Sequence, residues 1–190
     1  GILSEARCRP FSATRNGINL GEGGGLLLVE RDGPATAWLR GVGETSDAYH
    51  MTQPRPDGSG LEAAMRQALS QAGMAPDAVD LINAHATGTA LNDAAEALAI
   101  ARTMPHQPLV VATKAYTGHT LGACGAVEIA MCIRSLQEGW APATLTEGPW
   151  CEEASALRLS STTVTQSFKT ALNVSAAFAG HNAAVLLEAP

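Results

Sequence analysis

Two histidines, His85 and His119, are the residues of this 190-residue chain best placed to do chemistry. His85 follows Leu81-Ile82-Asn83-Ala84, and His119, together with Lys114, follows Leu109–Thr113. Neither lies in the middle of an apolar helix face, where a merely packed histidine tends to be found. Two neutral imidazoles aimed at one carbonyl oxygen can each donate a hydrogen bond and stabilise an enolate formed there, by meeting developing charge with fixed donors. Two other readings stay open: structural histidines at strand ends, and a metal site, for which the spacing offers no third ligand. Lys114 precedes a glycine-rich turn and reads either as a solvated loop lysine or as part of the same group. Glu128 interrupts the apolar stretch Ala126-Val127-Glu128-Ile129-Ala130-Met131. A carboxylate on a buried face needs a partner, and Lys114 is the candidate. Glu96, set among Ala94, Ala95, Ala97 and Leu98, is a similar case, expected to hold its helix to a neighbouring loop.

These groups need strands and helices to carry them. Apolar runs predict strands at Leu26–Glu30, Ala35–Val42, Val79–Asn83 and Leu109–Thr113, and later near Leu157–Ser160, Thr170–Ser175 and Ala183–Glu188. Thr52–Ser59, with Pro54, Pro56 and Asp57-Gly58, reads as loop. Leu61, Ala64, Met65, Ala68, Leu69 and Ala72 recur at helical spacing, with Ser59 or Asp57 as the expected cap and Gly73 as the stop. A second helix is expected over Asn92–Arg102, started by Asn92/Asp93 and ended by Pro105. A longer one is expected over Gly118–Gln137, closed by Gly139 and Pro142. That would put His119 at a helix start, where the positive end of the dipole disfavours an imidazolium. The small residues Gly118, Gly122, Ala123, Gly125 and Ala126 read as tight helix packing. The order of elements suits a layered α/β fold with a mixed sheet between helices, whose sites collect beyond the carboxyl ends of the strands. Gly21–Gly25 is no phosphate loop: it lacks the GKS/T ending and precedes an expected strand, not a helix.

Composition narrows the classes further. The chain is 46% hydrophobic but 4% aromatic, which suits helices packed closely on a sheet and argues against disorder. Its formal charge of -6 argues against a nucleic-acid partner, which needs a concentrated positive surface. No apolar run approaches the length of a membrane span. Cys8, Cys124, Cys132 and Cys151 form no CxxC pair, so reduced, mostly buried thiols in a cytoplasmic protein are expected. The opening GILSEARCRPF is neither a signal nor a transit peptide and carries no initiator Met, so a fragment or processed chain is expected.

Several blocks in order resemble the C-terminal half of a β-ketoacyl-acyl carrier protein synthase, a ketosynthase of the thiolase-like superfamily. They are Arg9–Gly25, Ala48-Tyr49-His50-Met51-Thr52, Asn83–Thr89 with Asn92, Asp93 and Glu96, Lys114–Gly125, and Phe178-Ala-Gly-His-Asn182. The resemblance runs along nearly the whole chain, residues 1–190, and implies the layered αβαβα fold, with this chain supplying the C-terminal half. It implies that His85 and His119 bind the malonyl thioester carbonyl during decarboxylation, that Lys114 supports them and that Glu128 pairs with Lys114. Thr87 and Thr89 resemble the hydroxyls that contact the phosphopantetheine arm of acyl carrier protein. Phe178 resembles the gating phenylalanine of the acyl pocket, whose backbone N–H helps form an oxyanion hole.

The implied reaction joins an acyl thioester to malonyl-acyl carrier protein, in fatty acid or polyketide synthesis, with no cofactor beyond the carrier's phosphopantetheine. Implied partners are acyl carrier protein, an N-terminal half bearing the nucleophilic cysteine, and a second subunit in a homo- or heterodimer. No cysteine here sits in the strand-to-helix elbow of that nucleophile, and covalent catalysis needs it. Cys124 stands where a small residue is usual and reads as a packing thiol. Ser12 and Asn16 replace usual aspartates, and Ala176 stands where a second phenylalanine is common. The alternative is a non-catalytic chain-length-factor-like partner subunit, though such subunits usually lose the two histidines. The ending just after a strand, at Leu186–Pro190, favours a stand-alone synthase over a segment of a multidomain assembly line.

Overall fold

A computed structural model describes residues 2–190. Its frame is one six-stranded mixed sheet with helices on both faces. In chain order the elements are β1 (Trp38–Ser46), α1 (Ser59–Ala72), β2 (Leu81–Asn83), α2 (Ala90–Thr103), β3 (Leu109–Val111) and α3 (Lys114–Thr117). They continue with α4 (Cys124–Glu138), β4 (Trp140–Ala141), β5 (Arg158–Leu159), β6 (Val164–Thr165), β7 (Thr170–Ala176) and β8 (His181–Glu188). The sheet runs β1-β8-β7-β2-β3-β5. β7, β2, β3 and β5 are parallel, while β8 is antiparallel to both β1 and β7. β4 and β6 form a separate two-stranded ladder.

Alternation along the strands divides the core into two layers. Ile82, Val110, Leu172 and Leu186 point to one face, where they meet Leu61, Met65 and Leu69 of α1 and Ala97 and Ile100 of α2. Leu81, Leu109, Val111, Ala171 and Leu187 point to the other, against Cys132 and Leu136 of α4. α1 buries Leu61, Ala64, Met65, Ala68 and Leu69, the stripe its spacing predicts. It lies so close to β1 that a Cβ on Gly43 would come 1.9 Å from the Ala64 carbonyl oxygen. Gly73 ends the helix in the left-handed region, its N–H and that of Met74 closing on Ser70 and Leu69 carbonyls.

Four expectations need correction. Leu26–Glu30 is not a strand: it makes no ladder among the described residues, and Leu26, Leu28 and Val29 are exposed. The long helix starts at Cys124, six residues later than expected, because Gly118 (φ 67°) and Leu121 (φ 53°) leave helical geometry. The boundary residue of α1 is Gly58; Asp57 Oδ1 instead accepts the Ser59 N–H and O–H. α2 begins at Ala90, ahead of Asn92/Asp93: the Asn92 amide donates to Asp93 Oδ1 and Glu96 Oε2, and Asp93 accepts from backbone N–H groups described below. No helix among the described residues is long and apolar enough to cross a membrane.

Candidate active site

The three parallel strands β2, β3 and β7 point the same way, so the segments leaving their carboxyl ends meet at one end of the sheet. His85 leaves β2, Lys114 and His119 follow β3, and Phe178 follows β7. The imidazoles of His85 and His119 come together with ring centroids 5.2 Å apart and planes at 82°. His85 is buried and His119 half-buried in front of it.

What lies behind each ring decides its proton. The Lys114 ammonium is 3.2 Å from His85 Nδ1, and it has only hydrogens to offer, so Nδ1 accepts and the ring proton sits on Nε2. The same ammonium is 2.5 Å from Glu128 Oε1, with both side chains 3% exposed or less. Behind His119, the Leu121 N–H donates to Nδ1 at 3.2 Å, and Cys124 Sγ lies 3.0 Å from the same nitrogen. His119 is therefore also an Nε2–H donor. Burial, then Lys114, then His119 hold His85 well below the usual histidine range. Burial, then Lys114, bring His119 down to about 4. At neutral pH both rings are uncharged, each with one N–H free to face a ligand. Burial pushes the Glu128 carboxyl up while Lys114 pulls it back, and Glu128 Oε2 is buried with no partner among the described residues.

The expected helix-dipole effect on His119 is replaced by these contacts, since His119 lies five residues before α4. Its backbone is instead held by the N-terminal segment: its N–H donates to the Asn19 carbonyl at 2.7 Å, and Gly21 N–H returns to the His119 carbonyl at 3.1 Å. Gly21 is required by this packing, because a Cβ there would sit 1.9 Å from the Thr117 carbonyl oxygen.

The turn carrying His85 is held from α2. Glu96 accepts the N–H groups of His85 and Ala86, each at 2.6 Å, one per oxygen. That pair of bonds supports Ala86 at φ 31°, a conformation a non-glycine residue rarely adopts. Burial pushes Glu96 up to about 7, against the pull of those two amides. Sequence reasoning missed Asp93, which accepts from Gly88 N–H at 3.1 Å and Phe11 N–H at 2.8 Å and so ties the N-terminal segment to the His85 turn. Its signal was present: Asp93 and Glu96 share one face of α2 at i, i+3 spacing. Cys124, expected as a packing thiol, is buried at the start of α4, and its sulfur also touches His119.

Thr87 and Thr89 lie on the loop between His85 and α2, their hydroxyls 2.9 Å apart. Phe178 stands at the same end of the sheet on the turn from β7 to β8, but it is 61% exposed. Among the described residues no cluster of histidine, cysteine and carboxylate side chains could hold a metal. All four cysteines are free and buried, and burial pushes Cys8 and Cys132 up to about 12.

Comparison with known proteins bears on the site. Residues 36–147 match the family profile described as Beta-ketoacyl synthase, C-terminal domain. The 3-oxoacyl-(acyl-carrier-protein) synthase 2 of Mycobacterium tuberculosis is 37% identical over 186 residues, 94% of this chain and 45% of that protein. The solved ishigamide ketosynthase/chain length factor superposes with a TM-score of 0.93 at 33% identity, over 100% of this chain and 49% of its own. A ketosynthase (ApeO) in complex with its chain length factor (ApeC) from Xenorhabdus doucetiae gives 0.88 at 34% identity, over 99% of this chain and 47% of its own. Against curated relatives the chain spans from 32% of the length, for a barley chloroplast synthase, to 45%.

Proposed function

This chain belongs to the β-ketoacyl synthase family, and we propose that it is the C-terminal half of a decarboxylating condensing enzyme. The observation that carries the proposal is the imidazole pair, 5.2 Å apart, with both Nδ1 atoms occupied from behind. Each ring then presents Nε2–H to the thioester carbonyl oxygen of a malonyl group. As the bond to the carboxylate breaks and carbon dioxide leaves, its electron pair forms a C–C double bond to the carbonyl carbon, the carbonyl π pair moves onto oxygen, and negative charge grows there. Two neutral donors stabilise it, and removing one such donor costs a factor of about 10²–10³ in rate. The resulting enolate attacks, through carbon, an acyl thioester held on the cysteine of an N-terminal half; a C–C bond forms, the C–S bond breaks and the cysteine leaves as thiolate.

In this reading Thr87 and Thr89 hydrogen-bond the phosphopantetheine arm of acyl carrier protein, and Phe178 gates the acyl pocket. No cofactor is required beyond that arm, which arrives with the substrate. The unpaired apolar run Leu26–Glu30 and the open front of His119 are surfaces that an N-terminal half covers, and a homo- or heterodimer completes the enzyme. Free, buried thiols fit a reducing compartment such as the cytoplasm. The chain-length-factor reading draws support from the solved relatives that contain such a subunit, while retention of His85 and His119 favours the condensing enzyme.

The test joins or mixes this chain with an N-terminal half bearing the cysteine and follows carbon dioxide release from malonyl-acyl carrier protein. His85→Ala and His119→Ala are each expected to slow release by a factor of about 10²–10³ or more. Normal decarboxylation in both variants overturns the mechanism. A wild-type pair that binds carrier protein but never decarboxylates supports the chain-length-factor reading.

A further inference from the structure

We propose that Cys124 is a positioning residue for His119: its thiol donates to Nδ1 and so holds the ring in the tautomer that carries its proton on Nε2. The proposal rests on the donor reading given above, but its geometry stands separately. Cys124 is the first residue of α4, 5% exposed, with Sγ 3.0 Å from His119 Nδ1. The Thr120 hydroxyl donates to the same sulfur at 3.4 Å. A sulfur that already accepts from a hydroxyl has its one hydrogen to give, and the ring nitrogen is the acceptor beside it. The arrangement is a short relay, Thr120 O–H to Sγ and S–H to Nδ1.

Without the thiol, Nδ1 keeps only the Leu121 amide, at 3.2 Å. Leu121 holds φ 53°, so that amide depends on a backbone turn that L side chains rarely adopt. Cys124 adds a donor fixed by the first turn of a fifteen-residue helix. The other groups that face His119 are the His85 ring and the Lys114 ammonium, the latter tied to Glu128 on α4. None of these touches Cys124 in the hydrogen-bond network, so a change at Cys124 acts on His119 through Nδ1.

The experiment reads the His119 ring directly, by ¹⁵N NMR of the histidine-labelled chain across pH, without substrate. A hydrogen bond to the lone pair of Nδ1 exists only in the neutral ring, so its loss favours protonation. Cys124→Ala is expected to raise the His119 pKa by about half a unit to one unit and to bring in the Nδ1–H tautomer. Cys124→Ser keeps a donor and is expected to retain the Nε2–H form. An alanine variant with the titration and tautomer of the parent overturns the proposal. If that variant does not fold, a serine variant titrating as the Nδ1–H form overturns it instead. A parent chain that shows the Nε2–H ring but releases no carbon dioxide with its N-terminal half refutes the proposed activity and leaves the role of Cys124 standing.

Discussion

Lys114 and Glu128 offer a way to separate stability from chemistry. Their charges are 2.5 Å apart with both side chains 3% exposed or less. At an effective dielectric constant of about 20 such a pair attracts by about 7 kcal/mol, and the desolvation of both ions takes back most of it. Removing one partner leaves the other charge buried alone, at a cost of ~3–5 kcal/mol. For a chain of this size that lowers Tm by about 6–20 °C. Glu128→Leu and Lys114→Met should each show that loss in thermal unfolding followed by circular dichroism. The double variant Lys114→Met/Glu128→Leu should recover most of it, because two apolar side chains of similar volume replace the pair without stranding a charge. It should nevertheless remain inactive in malonyl decarboxylation with the N-terminal half, since His85 Nδ1 has lost its donor. A double variant as unstable as the sum of the two singles refutes the electrostatic reasoning; a stable and fully active one refutes the role of Lys114 behind His85.

Decarboxylation should stay level as pH falls through the usual histidine range and decline only as it falls through about 4, where His119 takes up a proton; a pH–rate profile breaking near 6.5 contradicts this. Glu96 is raised from 4.5 to about 7, so the native state holds its proton longer than the unfolded chain does. Its contribution to stability is complete below about pH 4.5 and is lost as pH rises through about 7, a change of about 3 kcal/mol. Glu96→Gln should flatten that slope in urea titrations at stepped pH, leaving the part due to Asp93, which burial pushes up to about 6; parallel profiles for parent and variant refute it. Cys8 and Cys132, both with thiols pushed up to about 12, should resist iodoacetamide at pH 8 in the native chain and react in denaturant. Rapid native labelling of either, read by mass spectrometry, counts against that.

Much of the scaffold could be read before the coordinates, for identifiable reasons. α1 and the buried strands β2 and β3 follow from apolar spacing, and Glu128 betrayed its ion pair by standing alone in an apolar helix. Other features depend on what the chain meets in space. Leu26–Glu30 has strand composition but no ladder partner among the described residues, so it forms no strand and stays exposed. The onset of α4 is set by Gly118 and Leu121, whose positive φ values no periodicity shows. The roles of Glu96 and Asp93 lie in which backbone N–H groups reach them, and those of Leu121 and Cys124 in a single ring nitrogen. Residue type marked His85 and His119 as candidates, while only the groups behind them determine that both carry the proton on Nε2.

The account stands most directly on a co-crystal structure of this chain, paired with its N-terminal half and holding a malonyl thioester analogue that cannot lose carbon dioxide. The predicted result is one carbonyl oxygen within about 2.7–3.2 Å of Nε2 on both His85 and His119. A thioester oxygen that touches neither ring, or rings turned so that Nδ1 faces the ligand, would contradict it.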